Sequence, residues 1–136
     1  MQKQRLIMSC LSLMVIALMV ALSGMSSIAQ AGTLDGKTFE GQIGEKGKEK
    51  GDKDTFTFQD GKFHSRACDP YGFGDGAYSV TVNGDTTIFE ADTVSSKEGK
   101  MKWRGTVKGE MLDGTVTWYK GSKAPKEYWF KGELKN

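Results

Sequence analysis

Phe39-Glu-Gly-Gln-Ile43, Trp103-Arg-Gly-Thr-Val107, Leu112-Asp-Gly-Thr-Val116 and Phe130-Lys-Gly-Glu-Leu134 are copies of one pattern: a large apolar residue, any residue, Gly, any residue, an aliphatic. Phe63-His-Ser-Arg-Ala67 and Phe89-Glu-Ala-Asp-Thr93 are looser copies with Ser or Ala at the centre. Apolar or small residues alternate with charged or hydroxylated ones, which is the period of strands that bury one face. A small residue in the middle of the buried face, strand after strand, suits a sharply curved sheet. The pattern predicts a closed or nearly closed antiparallel barrel.

Reading outward from these repeats, eight strands are predicted at roughly 37–43, 54–59, 62–68, 76–83, 85–93, 100–107, 112–119 and 127–134. No long amphipathic helix is predicted. Asp60-Gly61 and Asn83-Gly84 are two-residue hairpin signals, and 97–99 and 108–111 read as slightly longer turns. Short links between successive strands favour an up-and-down meander over a Greek key. The expected fold is therefore all-β: one small antiparallel up-and-down barrel. These turns also predict a register: Phe58 opposite Phe63, Tyr78 opposite Phe89, Val107 opposite Leu112 and Gly105 opposite Gly114. In the same phase Gly132 joins the glycine row and Phe130 lies beside Val116, with a large ring such as Trp103 against the glycines.

Residues 1–31 read as a secretory signal peptide. Lys3 and Arg5 precede an apolar run from Leu6 to Leu22, and Ala29-Gln30-Ala31 fits the small-residue cleavage rule. The competing reading is an uncleaved anchor, because the run is near the minimum length for spanning a bilayer. Cleavage after Ala31 leaves a single domain, 32–136, exported to the periplasm or beyond and without a stable membrane anchor. The signal holds two of the 19 basic residues and none of the 17 acidic ones, so the mature domain is neutral. A neutral domain lacks the positive footprint of general nucleic-acid binding. Cys68 is the only cysteine after the signal, so an internal disulfide is excluded and the chain is expected as a monomer or a Cys68-linked dimer. Secreted eukaryotic domains of this size usually carry several disulfides, which favours a bacterial origin.

Catalytic signatures are missing from the sequence: no nucleophile elbow, P-loop, H-E-x-x-H or paired-cysteine spacing occurs. His64 and Cys68, four residues apart, would lie about 13 Å from each other on a strand rising about 3.3 Å per residue. His64 also has outward parity, so only a chain break near Cys68 would bring them together. Glu90 and Asp92 have outward parity and are expected to pair with bases such as Lys102 or Arg104. The chain is read as a non-enzyme, with no cofactor and no metal site.

The inward set is rich in rings: Phe39, Ile43, Phe56, Phe58, Phe63, Ser65, Tyr78, Val80, Val82, Phe89, Trp103, Val107, Leu112, Val116, Trp118, Tyr128, Phe130 and Leu134. It fits a solid core and an apolar pocket equally well. On the pocket reading, the ligand-binding candidates are Phe63, Ser65, Tyr78, Phe89, Trp103, Trp118, Tyr128 and Phe130. Loop 44–53, Gly-rich and of mixed charge, is expected to be mobile and solvated. Loop 69–75, Asp-Pro-Tyr-Gly-Phe-Gly-Asp, either plugs the barrel with its rings or presents them to a partner. Tyr71 and Phe73 at this tip, with Tyr119 and Trp129 on the outer wall, are the partner-binding candidates.

Eight successive strands, glycine-centred repeats and the long first loop 44–53 make the chain resemble a small bacterial secreted calycin-type barrel, the broad group that holds the lipocalins. Where lipocalins have G-x-W this chain has Gly36-Lys-Thr-Phe39, and the helix that follows the lipocalin barrel has no counterpart. The resemblance implies a small hydrophobic ligand held inside the barrel, with the first loop at the open end. It also allows a periplasmic inhibitor of host enzymes. The leading expectation is an exported barrel that binds a small apolar or amphipathic molecule, gated by loops 44–53 and 69–75. The alternative is a protein-interaction module, an inhibitor or envelope component.

Overall fold

The computed structural model describes residues 33–136; the signal-peptide reading of 1–31 lies outside the described residues. Eight antiparallel strands form a closed barrel in simple sequence order. They are β1 (Thr38–Glu45), β2 (Asp52–Gln59), β3 (Lys62–Ser65), β4 (Gly76–Asn83), β5 (Thr86–Ser95), β6 (Gly99–Lys108), β7 (Met111–Tyr119) and β8 (Lys126–Leu134). β8 closes on β1 through pairs such as Phe39 with Leu134 and Ile43 with Phe130. The up-and-down barrel predicted from the repeats is the observed architecture.

Glycines set where the wall bends. At the β1–β8 seam Gly41 faces Gly132, and a Cβ on Gly41 would lie 1.8 Å from the Lys131 carbonyl oxygen. Gly105 and Gly114 pair across β6–β7 as predicted, but the ring seated on them is Phe130. Its Cζ would be 2.8 Å from a Cβ at Gly105 and 2.6 Å from one at Gly114. That seating corrects the predicted β7–β8 register by two residues: Phe130 stands opposite Gly114, Tyr128 opposite Val116 and Gly132 opposite Leu112. Trp103 instead leans on Phe63, with ring centroids 4.8 Å apart, and donates its Nε1–H to Thr93 Oγ1 at 3.0 Å.

The two tight hairpins place their turns differently relative to the strands. Asp60 and Gly61 both take positive φ, 53° and 72°, as a type I′ turn requires, and Phe58 meets Phe63. At β4–β5 Asn83 stays in the strand and pairs with Thr86, so the turn is Gly84-Asp85, with Gly84 at φ 62°. Val80 therefore meets Phe89, and Tyr78 meets Ala91. A shift of two preserves the face, so Tyr78, Val80 and Phe89 remain buried. Val82 does not: it is 42 % exposed. β3 pairs with β4 only at Lys62–Ala77 and Phe63–Gly76, so β4 beyond Tyr78 runs past the wall that would cover it.

The middle of the barrel is filled. Phe39, Phe56, Phe58, Phe63, Phe89, Trp103 and Phe130 are all buried, and their rings meet mostly edge to face or tilted, at centroid distances such as 5.0 Å for Phe58–Phe89 and 5.3 Å for Trp103–Phe130, with Phe56 and Phe63 stacked. Deleting one such ring costs about 3–5 kcal/mol. One end of the barrel is plugged by Leu34. There Tyr78 donates to Asp35 Oδ1 at 2.6 Å and accepts the Leu34 N–H, while Asp35 also accepts the Gly61 N–H. Burial and the Asp35 hydrogen bond push the Tyr78 hydroxyl pKa upward.

Candidate functional site at the barrel mouth

A closed meander places alternate connections at the same end. The β1–β2, β3–β4, β5–β6 and β7–β8 links therefore gather at the end opposite Leu34. Between them lies a cavity of about 540 Å³, lined chiefly by Ile43, Cys68, Phe73, Met101, Trp118 and Tyr128, with Glu45, Lys48, Lys50 and Glu98 among its charged residues. A wider groove of about 730 Å³ crosses the outer wall. Its lining carries Lys48, Glu49, Arg104, Asp113 and Lys131 on the outer face, whereas the mouth sits at the end of the barrel and mixes apolar side chains with Glu45, Lys48, Lys50, Asp52 and Glu98.

The β3–β4 connection builds one wall, and one buried charge shapes it. Asp54 has inward parity with Phe56 and Phe58 and is only 5 % exposed. Its Oδ2 accepts the Ser65 hydroxyl at 2.5 Å and its Oδ1 accepts the Ala67 N–H at 2.9 Å. Capturing the Ala67 N–H turns the chain out of the sheet, so β3 ends at Ser65. A 3-10 helix, Arg66–Tyr71, replaces the predicted strand to 68. Burial raises the Asp54 carboxyl pKa, against the lowering effect of these hydrogen bonds. The helix carries Cys68 to the cavity floor, where Sγ is 3.4 Å from Ser65 Oγ and 3.8 Å from Met101 Sδ. Burial pushes the Cys68 thiol up to about 11.

The break near Cys68 does not create a Cys–His pair. Cys68 is buried at the cavity floor, while His64 lies half-buried on the outward face of β3 between two carboxylates. Asp69 Oδ1 is 2.9 Å from Nε2 and Asp75 Oδ1 is 2.7 Å from Nδ1. The Nδ1 contact has ion-pair distance without hydrogen-bond alignment, leaving that buried nitrogen without a directed partner. The contacts tie both ends of the 69–75 loop to β3. Ser95 Oγ secures its middle by donating to the Tyr71 carbonyl at 2.7 Å.

The opposite wall is the 44–53 segment, whose ends belong to β1 and β2 and whose middle is bonded to β8. Trp129 donates Nε1–H to the Lys48 carbonyl at 2.8 Å, and its ring lies so close to Gly44 that a Cβ there would be 2.5 Å from Cζ2. Lys46 bonds Glu127 at 2.7 Å. Glu45 bonds Lys126 at 2.8 Å and Lys48 at 2.9 Å. Hydrogen bonds from Lys126 and Lys48 hold the Glu45 carboxyl down at about 2. The first loop is strapped to β8 by the ring read from sequence as a partner-binding surface.

Of the predicted ligand contacts, Trp118 and Tyr128 line the cavity and Ser65 lies beneath it, bonded to Cys68. Phe63, Phe89, Trp103 and Phe130 lie in the packed middle, and Tyr78 is at the plugged end. Of the predicted partner contacts, Tyr71 is 60 % exposed at the cavity rim, whereas Phe73 is buried in its wall. Tyr119 is exposed on the outer face, and Trp129 stands opposite Thr115, so the two are not neighbours. On that face Arg104 pairs with Glu90 as expected, and Asp92 takes Lys100 at 3.2 Å. The sequence reading missed Met101 and Asp54, although both have inward parity with Trp103 and Phe56.

Compared with protein families, curated proteins and solved structures, the chain finds no match.

Proposed function

We propose that this protein is an exported, non-enzymatic barrel that takes a small amphipathic molecule into its mouth. The observation that carries this reading is the partly apolar cavity that the described residues leave at one end of a barrel whose middle is packed with rings. A ligand there buries apolar surface against Ile43, Phe73, Met101, Trp118 and Tyr128 and turns its polar end toward the charged rim, where Lys48 and Lys50 stand among Glu45, Asp52 and Glu98. The binding layer thus lies above the aromatic core. Burial of Cys68 favours a monomer over a linked dimer.

The test has two steps. Native and denatured masses of the exported protein are compared for a non-covalently held molecule. Anilinonaphthalene sulfonate, an apolar body with an anionic end, is then titrated by fluorescence. Trp118→Ala and Tyr128→Ala should weaken probe binding, while Glu90→Gln on the outer wall leaves it unchanged. Equal affinity in all three variants would sink the reading.

A protein-interaction module is the second reading, favoured by the exposed Tyr71 at the rim. It predicts that Tyr71→Ala lowers recovery of a partner from an envelope extract; recovery equal to wild type counts against it.

A further inference from the structure

We propose that the free edge of β4, Ser79–Asn83, is a self-association surface that pairs antiparallel with the same edge of a second copy of this chain. The residues flanking a two-residue turn exchange hydrogen bonds, so Asn83 and, by alternation, Thr81 and Ser79 direct their N–H and C=O groups to β5. Tyr78, Val80 and Val82 point the other way. The Tyr78 N–H reaches the Gly61 carbonyl at 3.1 Å. There the neighbouring wall stops, because β3 meets β4 only at Lys62–Ala77 and Phe63–Gly76. Among the described residues the backbone groups of Val80 and Val82 have no partner.

Charge, symmetry and exposure fit this edge to its own copy. β4, Gly-Ala-Tyr-Ser-Val-Thr-Val-Asn, is the one described strand without a charged residue, so it lacks the lysines that commonly keep strand edges apart, and a copy meets no like charge. With a two-fold axis at Thr81, Val80 of each copy faces Val82 of the other, and each facing pair exchanges both N–H···O bonds. Ser79 then faces Asn83, and the ladder ends where Gly61 already covers Tyr78. Val82 has the inward parity of the buried Val80 yet is 42 % exposed. In the paired edge its side chain lies beside Val80 of the second copy, on the face that holds the apolar residues.

The contact is short, so the dimer belongs to the weak, reversible class and stands in equilibrium with the monomer. It is non-covalent and does not involve Cys68, which is buried. The β4–β5 turn lies at the Leu34 end, so pairing there leaves the mouth of each barrel open. This inference goes beyond the ligand reading and does not need it.

Sedimentation velocity of the mature protein, over a concentration series into the millimolar range, reads the oligomeric state. A reversible monomer–dimer equilibrium is expected, unchanged by reductant. Val82→Pro removes the N–H that crosses to the second copy, and an edge strand tolerates proline where that N–H faces outward. It should weaken dimerisation roughly thirtyfold, the effect of one hydrogen bond lost from each half of a two-fold contact. Thr81→Lys sets like charges opposite each other across the axis and should also weaken it. In amide exchange, Val80 and Val82 should gain protection as the dimer fills, while Thr81 and Asn83, bonded to β5, should not change. A monomer at every concentration overturns the proposal, as does wild-type dimerisation in either variant. Protection of Val80 and Val82 that is independent of concentration also overturns it, because the chain itself then covers the edge. If Val82→Pro does not fold, Thr81→Lys and the exchange pattern decide.

Discussion

Gly105→Ala puts a methyl group into the pit that seats Phe130. The new Cβ would lie 2.6 Å from Phe89 Cε1, 2.8 Å from Phe130 Cζ and 2.9 Å from the Asp113 carbonyl oxygen. All three are inside ordinary contact distance, so two core rings must retreat by more than half an ångström in a close-packed interior. Overpacking of this kind costs about 1–3 kcal/mol. In a domain of this size, that lowers the thermal midpoint by roughly 5–20 °C. Thermal unfolding by circular dichroism measures the effect. Gly74→Ala is the control: a Cβ there meets nothing within 4 Å, and its effect should stay within about 0.5 kcal/mol. Because the Gly105 clash is largely with side chains, Phe130→Leu should relieve part of it in a double-mutant cycle. Gly114→Ala should gain less relief: its Cβ also meets Phe130 Cζ at 2.6 Å, but the contacts at 2.3 Å with the Arg104 carbonyl oxygen and 2.5 Å with Gly105 Cα are backbone and remain. A Gly105→Ala midpoint equal to that of Gly74→Ala would refute the packed-ring account of the core. So would equal rescue of both glycine variants by Phe130→Leu.

Trp129→Phe keeps a ring on Gly44 but leaves the Lys48 carbonyl without its donor. A hydrogen bond worth about 1 kcal/mol predicts roughly fivefold faster tryptic cleavage in loop 46–51; unchanged cleavage would mean that the strap is not held by this ring. Acid should affect the mouth with two opposite signs. Glu45 is depressed from 4.5 to about 2, so its contribution is full above its ordinary pKa and lost as pH falls toward 2. Asp54 is raised above 3.8, so its contribution is full below that value and lost as pH rises through its folded pKa. In urea midpoints measured from acid to neutral pH, Glu45→Gln should therefore flatten the acid loss. Asp54→Asn should steepen it; the reverse pattern would overturn both assignments. His64→Ala should speed amide exchange across 69–75 without touching β5–β7, and uniform protection would show that Asp69 and Asp75 do not depend on it.

The fold class was legible in the chain because its cause is local and repeated. Alternation in Phe39–Ile43, Trp103–Val107 and their copies defines two faces, and the central glycines permit curvature without reference to distant residues. The Asp60-Gly61 turn was legible for the same reason: two adjacent residues accept positive φ. Choices between registers of equal parity were not. Shifting β8 by two residues leaves every apolar side chain inward, and only the fit of Phe130 over Gly105 and Gly114 selects one solution. The site shows the same division. Inward parity placed Trp118 and Tyr128 on the correct face, but height along the barrel decides which inward rings reach the mouth and which are sealed in its middle. Asp54 looks like a solvated charge until Ser65 and the Ala67 N–H are folded onto it, and that capture ends β3 and delivers Cys68 beside Met101. The sequence by itself determined a curved, two-faced meander, because alternation and turn chemistry act over a few residues. The mouth was decided by tertiary structure alone, because its walls depend on contacts between residues far apart in the chain.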